Sequence, residues 1–542
     1  MRRLLAAVPL SLFAAPLFAQ GGLPPLQVPP QNPVTQSKAI LGKLLFWEEQ
    51  LSSNNRVACG TCHTFAAGGG DLRSAVHPGP DGVPGTPDDR FGSPGLVRSD
   101  AANQYLSDPT FGLQVQVTPR SSPSFLTAAW FPNLFWDGRA TAVFTDPQTG
   151  LPATTANGAL ESQAVGPVLS SVEMAHDARS WAAVTDKLAA AKPMALATNL
   201  PADIAAAVAN GATYPSLFAA AFGTPDITAQ RIAFALATYQ RTLVPDQTPW
   251  DQFQRGVPGA MTQSQINGMN VFNGPGRCNL CHVPGLFSDG RFRNLGLRPV
   301  AEDTGRQGVT NNPADRGKFK VPSLRNAGLR TRFMHNGQFT TIGQVFGFYL
   351  NGGGPFLDNK DPLLLPLQVP PQAANDLINF VTTALTDPRV AAGTGPFTRP
   401  TLASQRIPGG GVQYGPASAG TGLRLPGILA GVPANLGNVD FKVGVDNARG
   451  GALAVLAVAP FAAATQYFGV NVNVDIWQSP ALFYRNLAGP LGLAGAGYGT
   501  VGFALPAAPA LSGVTLYSQW FVFDSGVASG LASSRGAELR LF

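Results

Sequence analysis

The sequence predicts a mainly α chain that ends in a small all-β sandwich, and three observations carry that prediction. The first is a pair of units of the same form, Cys59-Gly60-Thr61-Cys62-His63 and Cys278-Asn279-Leu280-Cys281-His282, each led into by helically spaced apolar residues. The second is a set of helix starts and stops around them, including two Thr-x-x-Gln boxes. The third is a change of hydrophobic period from 3.6 to two beyond about residue 412.

The two units use all four cysteines of the 542-residue chain. In Cys-x-x-Cys-His both thiols can form thioethers to haem vinyl groups, and the adjacent His is delivered to the iron. A disulfide or redox pair needs no following His. A shared zinc site wants its halves about 15–20 residues apart, and here they lie in different halves of the chain. The reading is two covalently bound haem c groups on Cys59, Cys62, Cys278 and Cys281, with His63 and His282 as proximal ligands; disulfides are the remaining alternative. The helical part thereby becomes two c-type-cytochrome-like haem domains.

The length suggests about three domains. Charged residues are 13% of the chain, and the net charge of +6 is spread without a dense Lys/Arg run. That gives no case for nucleic acid. Residues 1–19 read as a signal peptide: Arg2 and Arg3, an apolar stretch from Leu4 to Phe18, then Ala19-Gln20. The stretch is too short for an anchor and is broken by Pro9 and Pro16. No later segment is apolar enough to form an integral membrane span. Since c-type haem is attached outside the cytoplasm, a periplasmic or otherwise exported protein is expected.

Taken in order, a Pro-rich lead (Pro24 to Pro33) precedes a helix over Ser37–Glu48, with Ile40, Leu44 and Phe46 on one face. A Gly/Pro/Asp-rich insert follows the first haem unit, at about 66–119. Within it, Asp81 to Asp89 has the closely spaced carboxylates of a calcium loop but not the full spacing, so a solvated acidic turn is the stronger reading. Asp226 to Val244 is an amphipathic helix with Ile232, Leu236, Tyr239 and Leu243 inward, stopped by Pro245. Thr262-x-x-Gln265 and Thr341-x-x-Gln344 open two more, the second with Ile342, Val345, Phe346 and Tyr349 on one face. Ala373 to Leu385 is the last. The haem domains are drawn at 20–250 and 251–392, a Gly/Pro linker at 393–411, and the β-sandwich at 412–542. Its strands are read from Val439, Phe441, Val443 and Val445, from Leu516, Ser518, Trp520 and Val522, and from Leu539 and Leu541. This domain has no Cys or His, and an attachment module and a packing appendage are equally open readings.

Several stretches carry a resemblance to a known family. They are Leu41 to Phe46 with Leu51-Ser52 and the first haem unit, Phe135-Trp136-Asp137-Gly138-Arg139-Ala140, and Glu161 to Pro167. Further on come Val172-Glu173-Met174, Lys320 to Asn326, and Met334-His335-Asn336-Gly337. In this order they resemble the bacterial di-haem cytochrome c peroxidase family, which includes the MauG type. The resemblance covers about residues 35 to 390 and implies a first, peroxidatic haem domain and a second, electron-transfer one.

For the first haem, other members carry a distal His where this sequence has Leu113; His77, in the insert, is a substitute or a solvated loop residue. The site therefore resembles the open, five-coordinate MauG form. The resemblance assigns Glu173 and Gln163 to its pocket. Peroxide cleavage needs a group that takes a proton from one oxygen and returns it to the other, and a carboxylate over an apolar haem face has its pKa raised by desolvation. The bland reading of Glu173 is a loop cap or an ion pair with Arg139; His176 is an alternative relay or a surface His. For the second haem, Tyr349 stands where the family has its sixth ligand, with a core Tyr as the alternative and Met334 and His335 as rivals. Phenolate ligation lowers the potential and Met raises it. Trp136 resembles a tryptophan between the haems, as relay or as buried anchor. Family members bind calcium between the domains through an Asn side chain and carbonyls; here Ser121 takes the Asn position, while Lys320 and Pro322 retain carbonyls, so calcium is left open.

The expected function is a di-haem cytochrome-c peroxidase that reduces hydrogen peroxide with electrons from a small c-type cytochrome or copper protein. Two alternatives stand beside it: a MauG-like oxidase of a protein partner, and a non-catalytic electron-transfer cytochrome. A homodimer, common in the family, is a further expectation.

Overall fold

The first core forms where two helices cross. Thr35 caps Gln36–Phe46 by accepting from the Lys38 N–H at 3.4 Å, and Thr228 caps Ala229–Thr242 through the Arg231 N–H at 3.2 Å. Leu41, Leu44 and Leu45 of the first meet Ile232, Leu236 and Tyr239 of the second. The short helix Ala159–Ala164 covers the other side of Ala229–Thr242, which is why that helix is buried nearly all round. Its Glu161 is fully buried and accepts from both Arg241 guanidinium nitrogens, at 2.6 and 2.9 Å.

This computed structural model describes residues 22–406 and 411–542. The signal-peptide reading of residues 1–19 and residues 407–410 of the linker reading lie outside the described residues. Among the described residues no helix is long and apolar enough to cross a membrane.

A second core gathers Trp250, Phe272, Phe287 and Phe380 between the helices Gln263–Asn273, Ile342–Leu350 and Pro371–Asn379, the last continued by a wider turn over Phe380–Ala384. Both Thr-x-x-Gln boxes close reciprocally. Gln265 Oε1 accepts from Thr262 N–H at 2.8 Å while Thr262 Oγ1 accepts from Gln265 N–H at 3.3 Å, and Thr341 and Gln344 repeat this at 3.2 Å each way. Trp250 belongs to this core, so the helix Pro249–Gln254 groups with the second unit and the change-over precedes the 250/251 boundary drawn from the sequence.

The span read as a linker is packed through residue 406. Val390, Phe397 and Leu402 are fully buried in the first core, and Phe397 meets Phe65 edge-on at 5.5 Å between ring centres. Glu49 accepts from the N–H groups of Ala403 and Ser404 at 2.7 and 3.0 Å. Gly and Pro here mark turns in a strap rather than slack chain.

The 66–119 insert contains two hairpins, Ala75–His77 with Arg90–Gly92 and Pro94–Val97 with Val115–Val117. In its acidic turn each carboxylate is used locally: Asp81 accepts from Val83 N–H at 2.8 Å, Asp88 from Thr86 Oγ1 at 2.6 Å, and Asp89 from Gly85 N–H at 2.7 Å. Among the described residues no three His, Cys, Asp or Glu side chains converge as a metal site would need. These contacts agree with the acidic-turn reading of Asp81 to Asp89.

The C-terminal region is antiparallel β. One sheet runs in the order Val412–Tyr414, Gly536–Arg540, Thr515–Phe523, Leu453–Ala459, Ala481–Asn486, with Leu531–Ser533 also paired to Thr515–Phe523. A second runs Gly427–Leu429, Lys442–Ala448, Gly497–Gly502. Val443 and Val445 of one share a core with Leu456, Trp520 and Val522 of the other, as the period-two pattern requires. Val439 stands before its strand, 72% exposed.

Candidate active site

Each Cys-x-x-Cys-His unit is a single helical turn that carries its His back over the thiols. The His63 N–H donates to Cys59 O at 3.1 Å and the His282 N–H to Cys278 O at 2.8 Å. The first turn lies directly on the core: a Cβ at Gly60 would come within 2.2 Å of the Trp47 ring, so only glycine fits. All four thiols are unpaired.

Both imidazoles are oriented in the same way. His63 Nδ1 is 3.1 Å from Gly69 O and 3.1 Å from Ser122 Oγ, and His282 Nδ1 is 2.9 Å from Phe287 O. A carbonyl only accepts, so the proton sits on Nδ1 and Nε2 keeps its lone pair. Burial lowers both pKa values, which keeps the rings neutral. Burial likewise pushes the Cys59 and Cys62 thiols up to about 12. Paired thiols beside a neutral imidazole with a free Nε2 are the donor set that haem c requires, so the residues fit the group.

Glu173 stands at the first unit, near enough for its charge to act on Cys59 and Cys62. Its turn is pinned from several sides. Val172 O accepts from Leu96 N–H at 3.1 Å, Ser171 O from Gln116 Nε2 at 2.8 Å, and Met174 O from Ser53 N–H at 2.8 Å. A Cβ on Gly95 would lie 1.8 Å from Val172 O, so the close approach of the hairpin also needs glycine. The carboxyl is half-buried and, among the described residues, joins no ion pair. Arg139 is engaged with Asp137 at 2.9 Å and lies over the Phe135 ring at 3.6 Å. Burial raises the Glu173 pKa, and a Ser170 hydrogen bond and the Arg139 charge offset only part of that.

Gln163 is half-buried on the Ala159–Ala164 helix. Leu113 is 8% exposed and lines an apolar cavity with Leu96 and Thr61. His77 is held in its hairpin, its Nδ1 accepting from Gly79 N–H at 3.1 Å and its ring edge-on to Phe111 at 5.4 Å. His176 Nδ1 is tied to Asp177 O at 2.8 Å.

The second unit opens onto a cavity whose walls include Cys278, Cys281, His282, Phe346 and Tyr349. Ile342 and Phe346 share the Tyr349 face, as the helical spacing predicts. Burial raises the Tyr349 pKa, and no hydrogen bond contributes to that shift. Met334 and His335 also line it; His335 is stacked on Phe319 at 3.6 Å, and burial pushes its pKa down to about 3. Trp136 lines the same cavity, and its Nε1 donates to Ser121 O at 2.7 Å, one residue before the Ser122 that touches His63. Trp136 thus touches both the wall of the second cavity and the segment next to the Ser122 that meets His63. The Ser121 N–H donates to His335 O at 2.8 Å, so both backbone groups of that residue are engaged.

Two site residues escaped the sequence reading. Ser122 holds His63, and its only signal was its place two residues after Arg120. Arg330 donates to Ser122 O at 2.9 Å, and burial lowers its pKa to about 10. Two arginines, Arg330 and Arg332, between apolar residues were the missed sign.

Residues 36–258 match the family model for di-haem cytochrome c peroxidase. The cytochrome-c peroxidase IdrP1 of Denitromonas iodatirespirans is 30% identical over 405 residues, which cover 68% of this chain and 87% of that one. The methylamine utilization protein MauG of Methylorubrum extorquens is 29% identical over 368 residues, 66% of this chain and 81% of that one. In fold, the crystal structure of a MauG-like protein associated with microbial copper homeostasis covers 71% of this chain and 98% of its own, with a TM-score of 0.51 at 24% identity. The matching family model is one of di-haem peroxidases and IdrP1 is named a cytochrome-c peroxidase, and the donor sets at His63 and His282 suit haem. The chain belongs to the di-haem cytochrome c peroxidase family.

Proposed function

We propose that the protein is an exported peroxidase that reduces hydrogen peroxide at the first haem, with Glu173 as the proton-transfer group and Gln163 beside it. Its electrons would come through the second haem from a small c-type cytochrome or copper protein. One observation carries this reading: a half-buried carboxyl stands beside the first attachment turn and, among the described residues, joins no ion pair. Burial makes keeping such a group charged costly, and that cost raises its proton affinity, the direction a group that takes and returns a proton needs.

When bound, the haems held by Cys59, Cys62 and His63 and by Cys278, Cys281 and His282 would supply irons that exchange single electrons. Glu173 takes a proton from one peroxide oxygen and delivers it to the other as the O–O bond breaks. Gln163, with a donor and an acceptor on one amide, orients the same molecule. Two electrons and two protons then complete the two waters. Trp136 is the aromatic bridge along which an electron crosses between the domains. Leu280, Val283, Leu363 and Leu365, 43–53% exposed near the second haem, form an apolar rim suited to a transient docking partner.

The carboxylate form of Glu173 is the active one, so kcat/KM falls as pH drops through its pKa. Because burial raises that pKa, the loss begins at a higher pH than an ordinary glutamate near 4.3 would give. A pH profile of kcat/KM checks this; an acid limb at the ordinary value, or one that persists in E173Q, assigns the titration to another group.

Tyr349 supports a second reading, a MauG-like oxidase that draws electrons from a protein partner. Tyr349 lines the cavity that His282 also lines, and phenolate ligation would hold the second haem at low potential. Tyr349→Met is then expected to raise that potential by something on the order of 0.1 V or more. Redox titration reads this directly, and an unchanged midpoint removes Tyr349 as a ligand. Electron paramagnetic resonance of the oxidised protein, before and after one equivalent of peroxide, tests the main proposal. A high-spin signal that disappears with peroxide supports an open first haem. Two low-spin signals indifferent to peroxide, even after partial reduction, overturn it.

A further inference from the structure

The C-terminal β domain is not a loosely tethered module, because it is fastened to the first haem domain at several points. Lys187 Nζ meets Asp440 Oδ2 at 3.1 Å and also donates to Ser52 O and Ser53 O at 3.0 and 2.8 Å. Asn103 Nδ2 donates to Asp440 O at 2.8 Å, and Tyr105 N–H to Thr500 Oγ1 at 2.9 Å. The Lys442 ammonium lies 4.4 Å above the Tyr105 ring, and the Arg56 guanidinium donates to Gly431 O. Asn103 and Tyr105 belong to the Gly/Pro/Asp-rich insert, so the insert serves as the receiving surface for the β domain.

Between the two lies a cavity of about 670 Å³. Its inner wall includes Thr61 of the first attachment turn, together with Leu96, whose N–H holds the turn of Glu173, and Leu113. Its outer wall is made by the β domain, through Gln413, Ile428, Leu429 and Gly431. Ile428 is core to the sandwich at 3% exposure, whereas Leu429 is only half-buried and can vary without emptying that core.

We infer that the β domain forms the outer wall of the passage to the first haem and that Leu429 sets the size of oxidant admitted. The inference rests on the peroxidase reading above. Hydrogen peroxide passes; a hydroperoxide with a branched alkyl group meets Leu429.

The test uses the full-length holoprotein in three forms: unaltered, Leu429→Ala and Leu429→Trp. The readouts are the association rate of cyanide with the ferric first haem, followed by absorbance, and the ratio of kcat/KM for tert-butyl hydroperoxide to that for hydrogen peroxide. Leu429→Ala is expected to raise the ratio about tenfold. Leu429→Trp is expected to slow cyanide association and to lower kcat/KM for hydrogen peroxide without changing kcat. If Leu429→Trp does not fold, Leu429→Ala alone decides. A wild-type ratio and cyanide rate in the folded variants overturn the inference. An unaltered protein that neither binds cyanide nor turns over peroxide overturns the peroxidase reading instead.

Discussion

Glu173→Gln is expected to lower kcat/KM for hydrogen peroxide by about 10²–10⁴-fold while leaving both haems attached. The amide keeps the size and hydrogen-bonding reach of the side chain but cannot take a proton. The turn that carries it is held through backbone groups of Val172, Ser171 and Met174, so the substitution leaves its scaffold intact. Stopped-flow absorbance with peroxide measures the effect, and unchanged ferric spectra establish that the site is assembled. A rate within about threefold of the unaltered protein would remove Glu173 from the mechanism.

Arg325→Met is expected to cost about 3–5 kcal/mol of stability, the largest structural effect of any single change considered for the second domain. Arg325 and Asp251 are both fully buried and pair through two contacts of 2.8 Å. Arg325 also donates to Gly285 O at 2.6 Å and to Pro245 O at 3.0 Å. Burial alone would raise the Asp251 pKa, but the hydrogen bonds and charge of Arg325 more than offset this and hold it below the ordinary value. Removing the guanidinium leaves a buried carboxylate without its counter-charge. The damage reaches the haem site, because the Gly285–Phe287 loop supplies the carbonyl that orients His282. Urea unfolding followed at the second haem reads the loss, and adding Asp251→Leu is expected to recover part of it. A loss below about 1 kcal/mol would show that the pair is not the anchor of that loop.

Much of this site was legible in the sequence because its chemistry is local. Cys-x-x-Cys-His places both thiols and the imidazole on one turn, and the reciprocal Thr-x-x-Gln caps are three-residue devices that form as written. Tyr349 was found inward because Ile342 and Phe346 fix the helical face. Partners far apart in the chain were not legible. Arg325 with Asp251, Ser122 with His63, and Arg330 with Ser122 are pairings that only the fold creates. The 393–411 span misled for a different reason: turn residues have one composition whether the chain between them is loose or pressed into a core, and Phe397 and Leu402 were the apolar contacts to weigh. The insert was given no packing role, because the surface that receives Asn103 and Tyr105 lies on Asp440 and Thr500, more than 300 positions on.

The strap has a consequence for how the protein comes into being. Glu49 is buried, its pKa pushed up to about 7 by that burial, and its backbone donors are Ala403 and Ser404, the nearer 354 positions later in the chain. Phe397 and Leu402 fill the core begun by Leu41 and Leu44. A chain that emerges from its N-terminus must therefore hold its first domain unfinished until the strap arrives, whereas the second closes mostly on neighbours within 249–385. Closure over so long a loop is slow. The interval leaves the Cys59 and Cys62 thiols open to haem attachment before the walls come together, and the last stretch of the helical region to be made is the one that seals the first.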